Sequence, residues 1–141
     1  MNELEILKLK HQGYCCSQIM VHMILDLMDR ENENLIRFAR GLCMGGGMEK
    51  GPCGILTAGM SILSMMAGDD TDRWLLMQET YLTFFQTLAT GGAGCKDITG
   101  EYFPGPHPEI CGQYLSRSFS QLMAILVENG FDPTDPLSDG N

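Results

Sequence analysis

Apolar residues recur along most of this chain at spacings of three and four, and no run of alternating β-branched residues is long enough to read as a strand. The pattern predicts an all-α fold, a helical bundle of about six helices. The first runs roughly from Glu3 to His11 and ends at Gly13. The second, from about Cys15 to Met28, aligns Ile19, Met20, Met23, Ile24 and Leu27 on one face. After the polar hinge DRENEN a third covers about Asn34 to Leu42, carries Leu35, Phe38, Ala39 and Leu42, and breaks on Gly45, Gly46 and Gly47. A fourth begins near Cys53. Gly68 then reads as a stop, with Asp69, Asp70 or Thr71 as N-cap of a long helix to about Ala89 whose inner face holds Trp74, Tyr81, Phe85 and Leu88.

The stretch TGGAGC ends that helix, a short helical turn follows Cys95, and GEYFPGPHPE reads as an ordered, Pro-rich loop. The last helix runs from about Cys111 to Glu128 or Asn129 and stops at Gly130. The expected organisation is a single helical domain over residues 1–130 followed by a loose tail over 131–141. There is no internal repeat.

Composition narrows the function classes. With 141 residues, 44% hydrophobic and 19% charged, the chain is long and apolar enough to bury a core without disulfide staples. Net charge is −9 and the nine Lys and Arg are scattered, which argues against nucleic acid and anionic membranes and leaves a basic protein partner open. Apolar runs are interrupted before the roughly 18 residues of a membrane span, and the opening NELEILKLK lacks a signal-peptide core, so the chain reads as cytoplasmic. Eleven methionines raise a copper reading, but Met23, Met60, Met77 and Met123 sit in apolar helical runs where methionine fills core.

Six cysteines in a cytoplasmic chain of this size point to metal binding or redox chemistry rather than to stapling. Cys16, Cys53, Cys95 and Cys111 each stand at or near a predicted helix start, after a Gly or Pro break. A helix N-terminus offers free N–H groups and the positive end of the dipole, which stabilise a thiolate, a metal-bound sulfur or a cluster sulfide. Cys16 lies seven residues before Met23, Cys53 seven before Met60, and Cys111 four and eight before Leu115 and Phe119, so these sulfurs share the inward face. The bland alternative is four buried, inert thiols.

CSQ with an apolar helix behind it, a Gly-rich stretch leading to PCGILTAG, then Cys95 and Cys111 resemble the C_GCAxxG_C_C family of redox-active proteins. The resemblance covers roughly Gly13 to Leu126 and puts the signature cysteines on Cys16, Cys53, Cys95 and Cys111. The central block departs from the name: Pro52 replaces Gly, Gly54 replaces Ala, and Thr57 stands where Gly is expected, with Gly59 two positions late. What the resemblance implies is a redox role.

Cys15 and Cys43 fall outside the four. Adjacent helical residues point about 100° apart, so Cys15 reads as a bystander to Cys16. Cys43 reads as core, or as a thiol approaching Cys53 across the glycine loop.

Three functions compete. In the first, the four thiolates ligate an iron–sulfur cluster, or zinc, in electron transfer with a redox protein partner, His107 being an alternative ligand or proton carrier. In the second, two of the same thiols cycle through a disulfide without metal. In the third the thiols are structural and the acidic bundle is an interaction module; a homodimer is compatible with its apolar faces. The chain has no CxxC, no G-K-[ST] for a phosphate loop, no CxxCH for haem and no Ser/His/Asp or paired-carboxylate constellation. His22, four residues before Asp26, reads as half of a surface pair.

Overall fold

Helix α2 (Cys16–Leu27) packs against four other helices. In the computed structural model, which describes residues 2–134, it is buried from Ser17 to Leu25 with the exception of His22. The expected single apolar face is therefore too narrow. Val21 and Leu25 are buried as well, whereas Leu27 is exposed, because α1 (Glu3–His11), α3 (Glu33–Ala39), α4 (Gly54–Ala67) and α7 (Ile110–Glu128) surround it. Two polar residues in this buried run are satisfied: the Ser17 hydroxyl donates to the Ala39 carbonyl at 2.7 Å and the Gln18 amide to the Ile36 carbonyl at 3.1 Å. Both bonds tie α2 to the end of α3.

Asn32 caps α3, its side-chain oxygen accepting from the Leu35 N–H at 3.0 Å. Phe38, one of the apolar residues of the expected third helix, is 77% exposed. Leu35, Ile36 and Ala39 make the contact with the core, and at about 100° per residue that face turns Phe38 outward.

Asp70 is the N-cap of α5 (Thr71–Leu88), accepting from the Arg73 N–H at 3.1 Å. Met77, Tyr81 and Phe85 form its buried stripe. Trp74 and Leu88 are half-buried at its ends. Gly59 of α4 faces the Tyr81 ring at a place where any Cβ would collide with it, which lets the Tyr81 hydroxyl reach the Ile55 carbonyl at 2.9 Å. The expected turn after Cys95 is a short helix, α6 (Cys95–Thr99), which makes seven α-helices and no strand among the described residues. None of them is long and apolar enough to cross a membrane.

The first residues of the expected tail are held: the Phe131 N–H donates to the Leu126 carbonyl at 2.9 Å and the Arg73 guanidinium lies 5.7 Å from the Phe131 ring centre. The rest of that expected tail, 135–141, lies outside the described residues. His22 and Asp26 form the expected pair, Nδ1 to Oδ2, at 3.2 Å.

Between α3 and α4 the chain makes tight turns through Met44, Gly45 and Gly46 with φ of 58°, 65° and 68°. It then crosses itself, Gly45 against Gly51, so closely that a Cβ on Gly45 would lie 2.7 Å from the Gly51 carbonyl oxygen and one on Gly51 would overlap the Gly45 carbonyl. Gly51→Ala is expected to destabilise the fold by about 1–3 kcal/mol in urea unfolding. Gly41→Ala, whose added Cβ would meet nothing within 4 Å, is expected to stay within about 0.5 kcal/mol of the parent.

Candidate functional site

Four helices deliver a cysteine from their first turn or cap: Cys16 is the first residue of α2, Cys53 the N-cap of α4, Cys95 the first residue of α6 and Cys111 the second of α7. Two of these starts are locked to each other. The Cys53 N–H donates to the Ala93 carbonyl at 2.8 Å and the Cys95 N–H to the Gly51 carbonyl at 3.0 Å, so 51–53 and 93–95 run antiparallel, with Pro52 opposite Gly94. In such a pair the facing residues exchange no N–H bond, so a proline at 52 costs none. This explains one departure from the cysteine signature. Another is explained by Thr57, which continues an ordinary helix start by bonding the Cys53 carbonyl at 3.2 Å from its N–H, leaving Gly59 to accommodate Tyr81.

The four cysteines line one cavity of about 360 Å³, together with Tyr14, Ile19, Ile98, Leu115 and Pro104 to Pro106. That volume is at the small end of ligand pockets, roughly 300–1,000 Å³. Cys53, Cys95 and Cys111 are buried and Cys16 is half-buried. Among the described residues no three His, Cys, Asp or Glu side chains stand close enough to hold a single metal ion.

The thiols differ in acidity. Cys16 and Cys111 share a hydrogen bond; donating it, and then burial, holds Cys16 well above the usual thiol range, with the charges of Cys53, Cys111 and Cys95 adding to the rise. Accepting it brings Cys111 down to about 7 against the opposing effect of burial, helped by the His107 N–H and by Lys10. Burial pushes Cys53 up to about 12, although the N–H groups of Ile55 and Leu56 pull the other way. Cys95 is raised by burial and by the neighbouring Cys111 charge.

His107 reaches the site through its backbone: its N–H donates to the Cys111 sulfur at 3.3 Å. Its Nδ1 accepts the N–H groups of Glu109 and Ile110, each at 3.1 Å, so the imidazole serves the start of α7 and does not line the cavity.

Cys15 and Cys43 correct the sequence expectation. They are joined in a disulfide, so Cys15 is no bystander and Cys43 approaches Cys15 rather than Cys53. The 100° rule fails because Cys15 is not helical. It is the extended N-cap of α2, with φ −88° and ψ 174°, while Cys16 begins the helix. Both disulfide sulfurs line the same cavity as the other four cysteines. The signal in the sequence was the doubled cysteine astride a helix boundary.

In reduced, metal-free protein, alkylation of Cys111 is expected to rise through about pH 7, since a lowered thiol pKa means thiolate appears as pH climbs past it. Cys53, near 12, stays unlabelled at that pH until the fold is opened. Peptide mass spectrometry of labelling against pH reads both, and equal rates at the two cysteines would overturn this ordering.

Neither the curated proteins nor the solved structures contain a match to the chain. The family described as "Putative redox-active protein (C_GCAxxG_C_C)" matches residues 14–125, a span that starts beside the doubled cysteine, takes in all four helix-start cysteines and ends within α7. With most of its length matched and the signature cysteines gathered at one cavity, this chain belongs to the C_GCAxxG_C_C family.

Proposed function

We propose that Cys16, Cys53, Cys95 and Cys111 ligate an iron–sulfur cluster and that the protein passes electrons to and from a redox partner. The observation that carries this reading is that four free thiols, each from a different helix start, line one cavity with volume left between them. A single tetrahedral ion with metal–sulfur bonds of about 2.3 Å needs its sulfurs about 3.8 Å apart. A cluster stands its ligands further apart and fills the space between, which suits four thiols arranged around a cavity better than a single zinc ion does.

Electrostatics support the same reading. A hydrogen bond to Cys111 and burial hold Cys16 high, and burial followed by the Cys111 charge holds Cys95 high, so ionising all four sulfurs together calls for cations among them. When bound, a cluster supplies one-electron chemistry. The chain's own part is to exclude water with apolar walls, to donate the His107 N–H to the Cys111 sulfur, and to hold Lys10 near the site as a fixed positive charge. The net charge of −9 suits a partner with a basic docking face.

A second reading has its own observation. The hydrogen-bonded Cys16 and Cys111 pair a protonated thiol with an acidic one, an arrangement that suits reversible disulfide formation between them.

Anaerobic incubation of the reduced chain with ferrous iron and sulfide is expected to give coloured protein holding both. Cys→Ser at position 16, 53, 95 or 111 should each remove most of the colour, while Cys43→Ser keeps it. Protein that stays colourless and iron-free would overturn the cluster reading. Mild oxidation of metal-free protein tests the other: loss of two thiols mapping to Cys16 and Cys111, restored by reductant, is the expected outcome, and no reversible bond between them would end it.

A further inference from the structure

The family signature leaves Cys15 and Cys43 without a role, and the structure joins them beside the cavity. We propose that they are a second redox site, a disulfide that exchanges with an external dithiol, Cys15 being the sulfur attacked and Cys43 the leaving group held by the Ser17 hydroxyl. This holds whether or not the other four thiols carry a cluster.

The two sulfurs are not equivalent. Cys15 is half-buried at the N-cap of α2, whereas Cys43 is 4% exposed, so a thiolate arriving from solvent meets Cys15 first. Beside the bond, and fully buried, lies Ser17, its Oγ 2.8 Å from the Cys43 sulfur, a longer 3.6 Å from the Cys15 sulfur and 2.7 Å from the Ala39 carbonyl. A serine hydroxyl has one proton to give. While Cys43 is a disulfide sulfur, a weak acceptor, that proton goes to Ala39. Once Cys43 leaves as a thiolate it becomes the stronger acceptor, and a short rotation of the hydroxyl supplies a charge-assisted bond at the moment charge develops. No such donor is bonded to Cys43 from a second side chain among the described residues.

The step balances within thiol chemistry. One thiolate of the dithiol bonds to the Cys15 sulfur as the Cys15–Cys43 bond breaks, and the electron pair leaves on Cys43. The second thiolate then attacks the substrate sulfur, closing the substrate's own disulfide and releasing Cys15. The dithiol loses two electrons and two protons, and Cys15 and Cys43 take them up as two thiols.

Oxidised full-length chain is mixed with glutathione, as a one-armed probe that cannot complete the second step, quenched in acid and mapped by peptide mass spectrometry. The adduct is expected on Cys15. With dihydrolipoamide as the dithiol, Ser17→Ala should slow reduction of the bond about tenfold or more, the effect of losing one hydrogen bond to a charged group, and Ser17→Thr should restore most of it. An adduct on Cys43, or a bond that reacts only after urea unfolds the chain, would overturn the proposal. So would a folded Ser17→Ala that is reduced as fast as the parent. If Ser17→Ala fails to fold, the position of the adduct in the parent chain still decides.

Discussion

Two backbone hydrogen bonds organise the site: Cys53 N–H to the Ala93 carbonyl and Cys95 N–H to the Gly51 carbonyl. They join two loops far apart in sequence, and each bond uses the amide of a cysteine itself. Because Cys53 and Cys95 stand at the starts of α4 and α6, the bonds set both the separation of these helix starts and the direction in which the sulfurs leave the backbone. The Gly45 and Gly51 crossing sits behind this clamp, and only residues without Cβ allow it to close. The four widely spaced cysteines of this chain need a device of this kind, since no short motif holds any two of them together.

Around the clamp the bundle supplies what a redox centre requires of its protein: a water-poor wall, donors for sulfur and a rigid frame. The central α2 gives both sides of the frame, burying its apolar residues in the core while its first turn opens on the cavity. The unequal acidities follow from the same placement. Three thiols are disfavoured as anions by burial or by one another, and charge concentrates on Cys111, where a thiol, a backbone amide and a lysine converge.

Much of this was legible in the sequence, and what was not has physical causes. Helical spacing and Gly or Pro breaks located the helices and the cysteines at their starts because both signals are local. The extent of α2 burial and the outward turn of Phe38 were hidden, since they depend on how many neighbours a helix acquires. Gly59 looked like a displaced signature residue, yet its purpose is set by Tyr81 on another helix. The partnership of Cys15 and Cys43 escaped because Cys15 was placed inside α2 and because the path of Cys43 is decided by the left-handed residues that follow it. Convergence of the four thiols on one cavity was an open question that only tertiary structure addresses.

The boundary at the start of α2 separates two adjacent sulfurs by conformation alone: Cys15 extended, Cys16 helical. Shifting that boundary by one residue would exchange their directions and take the Cys15 sulfur away from Cys43. The Gln18 side chain, which accepts the Cys15 N–H at 3.3 Å while its amide is anchored on the Ile36 carbonyl, therefore acts as a register pin. It keeps a disulfide sulfur and a free thiol on neighbouring residues from trading places.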